Sequence, residues 1–369
     1  MKSYFDSFYS WWKTIDKFIF LLISFLFFLG LFFSLVSTSL IASEKLDTNS
    51  YYFFFKHFIF IILGFVILFL ISSLNQKLLI NLSNFLFFIS LFTLVLVPLL
   101  GIEIKGSKRW LDLGFVPRFQ PIEILKPFMI VFLSYILSLN KKNLYFKYFF
   151  SIITILPIVL LLISQPDIGQ TVLILSVWLS IIFVSGINLY AFFSIFIFLG
   201  STVSYLILFV PKFEYIKIRL TAFFDANPQN NYQAEKANDA IINGGFFGRG
   251  IGEGTLNSKV PEAHTDYIIS VVSEEFGAII VLLILLTYII FSYKVMEKIN
   301  FIQNGMFKLI LVGSITTILL QTFVHVGVNI RLLPTTGMTL PFLSYGGSSI
   351  ISTALISGLI LNFTKRKID

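Results

Sequence analysis

The feature that most limits what this chain can fold into is the recurrence of apolar stretches long enough to cross a bilayer. The first, KFIFLLISFLFFLGLFFSLVSTSLIAS, begins at Lys17 and carries no charge after that residue. A hydrocarbon core about 30 Å thick takes roughly 20 helical residues, and runs of that kind return along most of the 369 residues. With 57% hydrophobic and 12% charged residues and a mean hydropathy of +0.90, the composition lies far from that of a soluble domain. The runs read as about ten helices, near 17–42, 55–74, 78–100, 121–139, 147–164, 169–186, 189–210, 267–293, 305–329 and 345–363. The expected fold is an all-α integral membrane protein, one polytopic domain over 1–369, with a long extracytoplasmic loop at 211–266 between helices seven and eight. The first run exceeds a signal-peptide core and lacks a small-residue cleavage pattern, so it reads as a retained anchor.

Charge gives the orientation. Lys13, Lys17, Lys77, Lys141, Lys142, Lys147, Lys294, Lys298, Lys365, Arg366 and Lys367 fall at the ends of the chain and in the even-numbered connections. The positive-inside bias then places both termini in the cytoplasm. Lipid attraction and this bias account for much of the net charge of +8, and nucleic acid need not be invoked. There is no cysteine, which removes disulfides, thiolate metal sites and thiol nucleophiles.

Two outer connections depart from this pattern. The third, GIEIKGSKRWLDLGFVPRFQ, carries Lys105, Lys108, Arg109 and Arg118 on the side that should be poor in cations. An anionic ligand outside would explain them; so would a salt bridge between Arg109 and Asp112, and the sequence leaves both open. The seventh contains NGGFFGRGIGEGT, which lacks the GK[ST] ending of a phosphate loop and follows no predicted strand. It reads as a turn-rich segment able to lie close to a ligand or to the membrane surface.

Ionisable residues at or inside spans are expensive and are therefore site candidates. Glu123 and Lys126, three apart in QPIEILKP, share a helix face and can pair, either as a site or as a neutral pair that docks the helix. Asp167 in QPDIGQ stands at a helix N-cap. Asp266, Ser270, Ser273 and Gly277 follow helical spacing from a start near Thr265, giving a polar stripe open to the outer surface, with an N-cap as the alternative role for Asp266. His264 has too few companions for a structural zinc set, since the chain holds three histidines. The small residues of YGGSS, from Tyr345, fit close helix packing.

KGSKRWLDLG, QPIEILKP, QPDIGQ, PEAHTDYIISVVSEEFG and LLPTTGMTLPFLSYGGSS occur in an order and in loops that resemble those of the SEDS family, the FtsW and RodA type. The resemblance covers essentially the full chain, and GRGIGEGTLNSKVPEAHTDY and GMTLPFLSYGG look more like the FtsW branch. Two positions depart from the family pattern: Ile122 stands where QPSE has its serine, and Thr336 where the FtsW branch commonly has lysine and the RodA branch threonine. The resemblance implies a glycosyltransferase of the bacterial inner membrane that polymerises lipid II into glycan strands in septal wall synthesis, working with a class B penicillin-binding protein, an FtsI-like transpeptidase, and other division proteins. It implies Asp266 as the base, Lys108, Arg109 and Lys126 around the departing diphosphate, directly or through magnesium or manganese, and Glu123 orienting Lys126. Glu274 and Glu275, about two turns deeper, are expected to hold helices together or to meet a buried cation. Competing readings are a lipid II flippase, a RodA-type elongation polymerase, and a scaffold that only recruits the crosslinking enzyme.

Overall fold

The computed structural model describes residues 9–38, 51–104, 107–114, 117–139, 144–224 and 232–365. Lys105, Lys141, Lys142, Arg366 and Lys367 lie outside them. Seven apolar helices come first: α1 Lys17–Phe33, α2 Tyr52–Ser73, α3 Gln76–Leu100, α4 Pro121–Ser138, α5 Leu144–Ser164, α6 Ile168–Val184 and α7 Leu189–Phe209. A short antiparallel hairpin, β1 Ile102–Ile104 and β2 Ser107–Trp110, lies between α3 and α4. Two helices, α8 Glu214–Phe224 and α9 Tyr232–Gly244, occupy the long connection. Three more apolar helices complete the chain: α10 Ile268–Phe301, α11 Gly305–Asn329 and α12 Gly347–Phe363. Ten apolar helices among the described residues match the reading of the sequence; eight have the length of a span, and α6 and α12 are shorter.

Their arrangement follows from the solvent. Lipid tails are as apolar as leucine, so burial among helices selects small and polar side chains rather than the oiliest ones. The two least apolar of the long spans, α4 and α11, are the most buried, whereas α7 has no buried residue. α12 is buried along almost its whole length and carries Ser348, Ser349, Ser352, Thr353, Ser357 and Asn362 inside. Asn362 donates to the carbonyls of Ile71, Ser72 and Leu74 at 2.9, 3.1 and 2.8 Å, so the end of the last helix closes the α2–α3 connection. Asp16 caps α1 through the amides of Phe18 and Ile19 and pairs with Lys298 at 2.7 Å near the end of α10. Both contacts join elements that the charge bias assigns to one side.

The eighth helix differs from the expectation. Gly277 breaks α10 with φ 83° and ψ 169°, leaving a short outer half before the break and a long apolar half after it. The glycine-rich run fills the break. Ala278 N donates to Gly245 O at 2.9 Å, and the amides of Arg249 and Gly250 donate to Glu274 O and Glu275 O at 2.8 and 3.0 Å. A Cβ on Gly277 would lie 2.3 Å from Phe246 O, so only glycine admits this approach. The run thus lies close to a helix break.

Glu274 and Glu275 stand in the last turn of α10 before the break, about two turns beyond Asp266 as expected, and their side chains hold the long connection, α9 included. Glu274 Oε1 accepts from Asn243 Nδ2 at 2.8 Å and Leu256 N at 2.9 Å, and Glu275 Oε1 accepts from Asn257 Nδ2 at 3.0 Å. Helix α9 packs against α10 and buries Ala234, Ala237, Ala240 and Gly244.

Alanine at Gly277 would meet both a left-handed backbone and the Phe246 carbonyl. Gly277→Ala is expected to destabilise the fold by about 1–3 kcal/mol or more, while Gly200→Ala on α7, where nothing lies within 4 Å, stays near wild type. Thermal unfolding of the detergent-solubilised variants reads the difference.

Candidate active-site cavity

A cavity of about 1010 Å³ opens where the odd-numbered connections meet. Lys56 and Phe60 reach it from the start of α2, Arg109, Arg118 and Gln120 from the third connection, and Asp167 and Gln170 from the fifth. Gln233, Glu262 and Asp266 come from the seventh, and Thr336, Gly337, Tyr345 and Ser349 from the ninth. Chain parity therefore places the cavity on the side opposite the lysine-rich connections. Its volume is at the upper end of the range for ligand pockets, and its lining mixes apolar surface with a few polar groups.

The third connection delivers Arg109 by a break in strand pairing. Glu103 faces Lys108 and Ile102 faces Trp110, so Arg109 is the extra residue of a β-bulge. Bulges turn a side chain away from the regular alternation. Arg109 Nε donates to Gln165 O at 3.3 Å, another guanidinium nitrogen donates to Pro166 O, and Nε lies 3.7 Å from Asp167 Oδ2. Asp112 pairs elsewhere, accepting from Arg118 Nε at 2.9 Å and from Gly114 N at 3.0 Å, and these bonds hold its carboxyl below the ordinary value. The Arg109–Asp112 bridge left open by the sequence is not formed. Lys108 is exposed and does not line the cavity, because strand geometry separates it from its neighbour.

Asp167 caps α6 as expected, accepting from Gln170 N at 3.3 Å. Gln120 Nε2 also donates to its Oδ2 at 3.2 Å. Burial raises the Asp167 carboxyl above its ordinary value, against the opposing pull of Arg109.

Glu123 and Lys126 are paired at 2.8 Å, and both are buried. Glu123 lines the cavity; Lys126 lies outside the lining, with Nζ bonded to Glu123 and 3.4 Å from Gln321 Oε1. Gln170 Nε2 gives Glu123 Oε1 a second hydrogen bond at 2.8 Å. Ile122 packs in the apolar core.

Asp266 sits in a turn before α10. Tyr267 occupies the N-cap position, so Asp266 lies one residue outside it. Asn329, at the end of α11, takes the capping role: its Oδ1 accepts from Ser270 N at 3.2 Å, while its Nδ2 donates to Asp266 O at 3.1 Å and His325 O at 2.8 Å. Ser344 Oγ donates to Thr265 O at 2.6 Å, and Tyr345 N donates to His264 O at 3.0 Å. The turn is thus held from two directions while Asp266 reaches the cavity, facing Gly337, where a Cβ would stand 3.6 Å from Oδ2. The expected stripe does not follow it: Ser270 and Ser273 are buried away from the cavity. His264 packs among the rings of Phe53 and Tyr345.

The structure therefore gathers Arg109, Glu123 and Asp266 around one cavity, sets Lys126 behind Glu123, and leaves Lys108 outside. Sequence reasoning missed Lys56, Gln170, Glu262 and Asn329. Lys56 had a usable signal, a cation in the first turns of an apolar run. Asn329 had none, because its partners are remote in sequence.

The profile of the FtsW/RodA/SpoVE family, described as a cell cycle protein, matches residues 16–368. The probable peptidoglycan glycosyltransferase FtsW of Wigglesworthia glossinidia brevipalpis is 34% identical over 91% of this chain and 90% of its own. Its counterpart of the same name in Caulobacter vibrioides is 30% identical over 97% and 91%. A solved structure concerned with the coordination of polymerization and crosslinking by a peptidoglycan synthase complex superposes with a TM-score of 0.80 and 25% identity, covering 95% of this chain and 97% of that one. Thermus thermophilus RodA, a rod shape determining protein, gives 0.70 and 25%, covering 95% and 96%.

Removing the Asn329 amide would take from the buried Ser270 amide one of its two acceptors, leaving Tyr267 O at 3.1 Å, and would break the bond to the Asp266 carbonyl. Asn329→Ala is expected to cost about 1–3 kcal/mol, read by thermal unfolding, with faster hydrogen exchange at the Ser270 amide as the local sign that the clamp is lost.

Proposed function

This chain belongs to the FtsW/RodA/SpoVE family of cell cycle proteins, and from that premise we infer that it is a peptidoglycan glycosyltransferase of the FtsW type. It polymerises lipid II, a disaccharide-peptide carried on a polyprenyl diphosphate, into glycan strands at the outer membrane face during septal wall synthesis. The observation that carries this reading is the Asp266 carboxylate on the wall of a cavity that also receives Arg109. A lipid-linked diphosphate sugar keeps its tail in the bilayer, so its enzyme needs a groove, cations and a base at one membrane face.

In the proposed reaction Asp266 takes the proton from an acceptor sugar hydroxyl as that oxygen attacks the anomeric carbon of the donor. The new carbon–oxygen bond forms as the bond to phosphate breaks, with inversion, and the electron pair leaves on the polyprenyl diphosphate. Arg109 stabilises that charge, joined by Lys56 and Arg118 on the same cavity. The carbonyls that hold Arg109 orient its guanidinium without cancelling its charge. Lys126 acts through Glu123, which it orients and neutralises.

Among the described residues no three His, Cys, Asp or Glu side chains gather as a metal site. Magnesium or manganese would be held mainly by substrate phosphates.

The long outer loop and the membrane helices act as one unit, in the bacterial cytoplasmic membrane with both ends inside. The likeness to a peptidoglycan synthase complex supports a class B penicillin-binding protein, an FtsI-like transpeptidase, as the partner. Glu274 and Glu275, which would slightly help a flippase by lining a path through the midplane, instead bind the long connection.

Asp266→Asn should fold and bind lipid II, yet lower strand formation by about 100- to 10,000-fold. In-gel detection of glycan strands made by the purified chain with a class B partner tests this. Wild-type turnover in the folded variant would remove Asp266 as the base.

A further inference from the structure

Three residues on one side of the cavity carry buried oxygens with no hydrogen-bond partner in the protein: Glu123 Oε2, Gln170 Oε1 and Thr336 Oγ1. Glu123 and Gln170 are only 3% and 5% exposed, so water outside the cavity does not explain their unmet capacity. Buried acceptors are nearly always paired, and an unpaired one beside a cavity calls for a water, an ion or a ligand group that brings the donor.

The orientation of Gln170 is fixed by chemistry. Its Nε2 lies 2.8 Å from Glu123 Oε1, which also receives Lys126 Nζ at 2.8 Å. The carboxylate accepts and the amide nitrogen donates, so the amide oxygen is the atom left over. Thr336 adjoins this pair: a Cβ on Gly169, the residue before Gln170, would lie 3.0 Å from Thr336 Cβ. The next residue, Gly337, faces Asp266 Oδ2. A continuous wall therefore runs from Glu123 through Gln170 and Thr336 to the proposed base.

The unmet groups decide the class of ligand. Two are obligate acceptors and the third is a hydroxyl, a set that repels phosphate. The cation nearby does not change this, because Lys126 Nζ is occupied by Glu123 and Gln321. A saccharide has the complementary chemistry, offering hydroxyl and acetamido N–H donors without charge. We propose that Glu123, Gln170 and Thr336 form an acceptor subsite that reads the hydroxyl and acetamido N–H groups of the substrate sugar, while the diphosphate lies toward Arg109. This rests on the reading of the substrate as a diphosphate-linked amino sugar.

The test is binding of two probes by the full chain in nanodiscs: lipid II, and the same polyprenyl diphosphate without sugar. Thr336→Val removes an unpaired hydroxyl at nearly constant shape, so its fold is expected to remain intact. It should weaken lipid II binding by about three- to tenfold. Gln170→Met should weaken it by about tenfold or more, and both variants should hold the sugar-free lipid within about twofold of wild type. Arg109→Ala should weaken both probes. Equal weakening of the two probes by Thr336→Val, or unchanged lipid II affinity, would overturn the subsite. So would a higher magnesium requirement with unchanged affinity at saturating magnesium, since the oxygens would then hold a cation. Failure of the enzymatic reading looks different: a chain that binds lipid II with these selective losses but forms no strands keeps the subsite and loses the polymerase assignment.

Discussion

A hydrocarbon solvent offers no hydrogen bonds, so every departure from helix near the bilayer needs a partner supplied by the protein itself. That constraint organises the functional half of the molecule. At the Gly277 break, the freed carbonyls of Glu274 and Glu275 receive the amides of Arg249 and Gly250. At the Asp266 turn, carbonyls 265 and 266 receive Ser344 and Asn329. Irregular backbone is concentrated where the odd-numbered connections meet, and that is also where the cavity lies. The side chains available for chemistry are thus attached to the few segments that the membrane permits to leave helical geometry.

The electrostatics of the cavity follow from how each charge is held. Arg109 is oriented chiefly by two carbonyls, with Asp167 at 3.7 Å, and burial makes that carboxyl harder to ionise. Two neutral carbonyls thus hold the guanidinium more closely than the one carboxylate does. Glu123 is the reverse case: a lysine and an amide converge on one of its oxygens. A buried pair of this kind contributes little net stability because of the desolvation its two charges incur. Its value here is in holding the other carboxylate oxygen and the Gln170 amide in fixed directions.

The spans were legible in the sequence because length and hydropathy are local quantities. So were the Asp167 cap and the Glu123–Lys126 pair, one set by a proline-interrupted start and the other by a spacing of three. The resemblance to SEDS proteins pointed to Asp266 and Arg109, and both reach the cavity. What failed was non-local. Gly277 sits in a run that reads as one helix, and its break is decided by a loop some thirty residues earlier. The bulge that separates Arg109 from Lys108 depends on strand register. The arginine that binds Asp112 proved to be Arg118, a choice that loop geometry makes and proximity in sequence does not. Helix α9 was hidden by its polarity, although alanines at 234, 237 and 240 trace the buried stripe of a helix.

The break in α10 links the loop to the base. Its outer half begins one residue after Tyr267, beside Asp266, and ends at Glu274 and Glu275, whose side chains bind Asn243, Leu256 and Asn257. A helix of this length moves as a rigid piece, because displacing one end without the other would break its internal ladder. The polar residues of the outer loop are therefore mechanically continuous with the turn that carries Asp266, and Asn329 ties that turn to α11 at the same point. An unbroken helix would spend the Glu274 and Glu275 carbonyls on its own ladder and leave none for the amides of Arg249 and Gly250. The glycine at 277 is what allows one sequence segment to serve as cavity wall, loop anchor and membrane helix in succession.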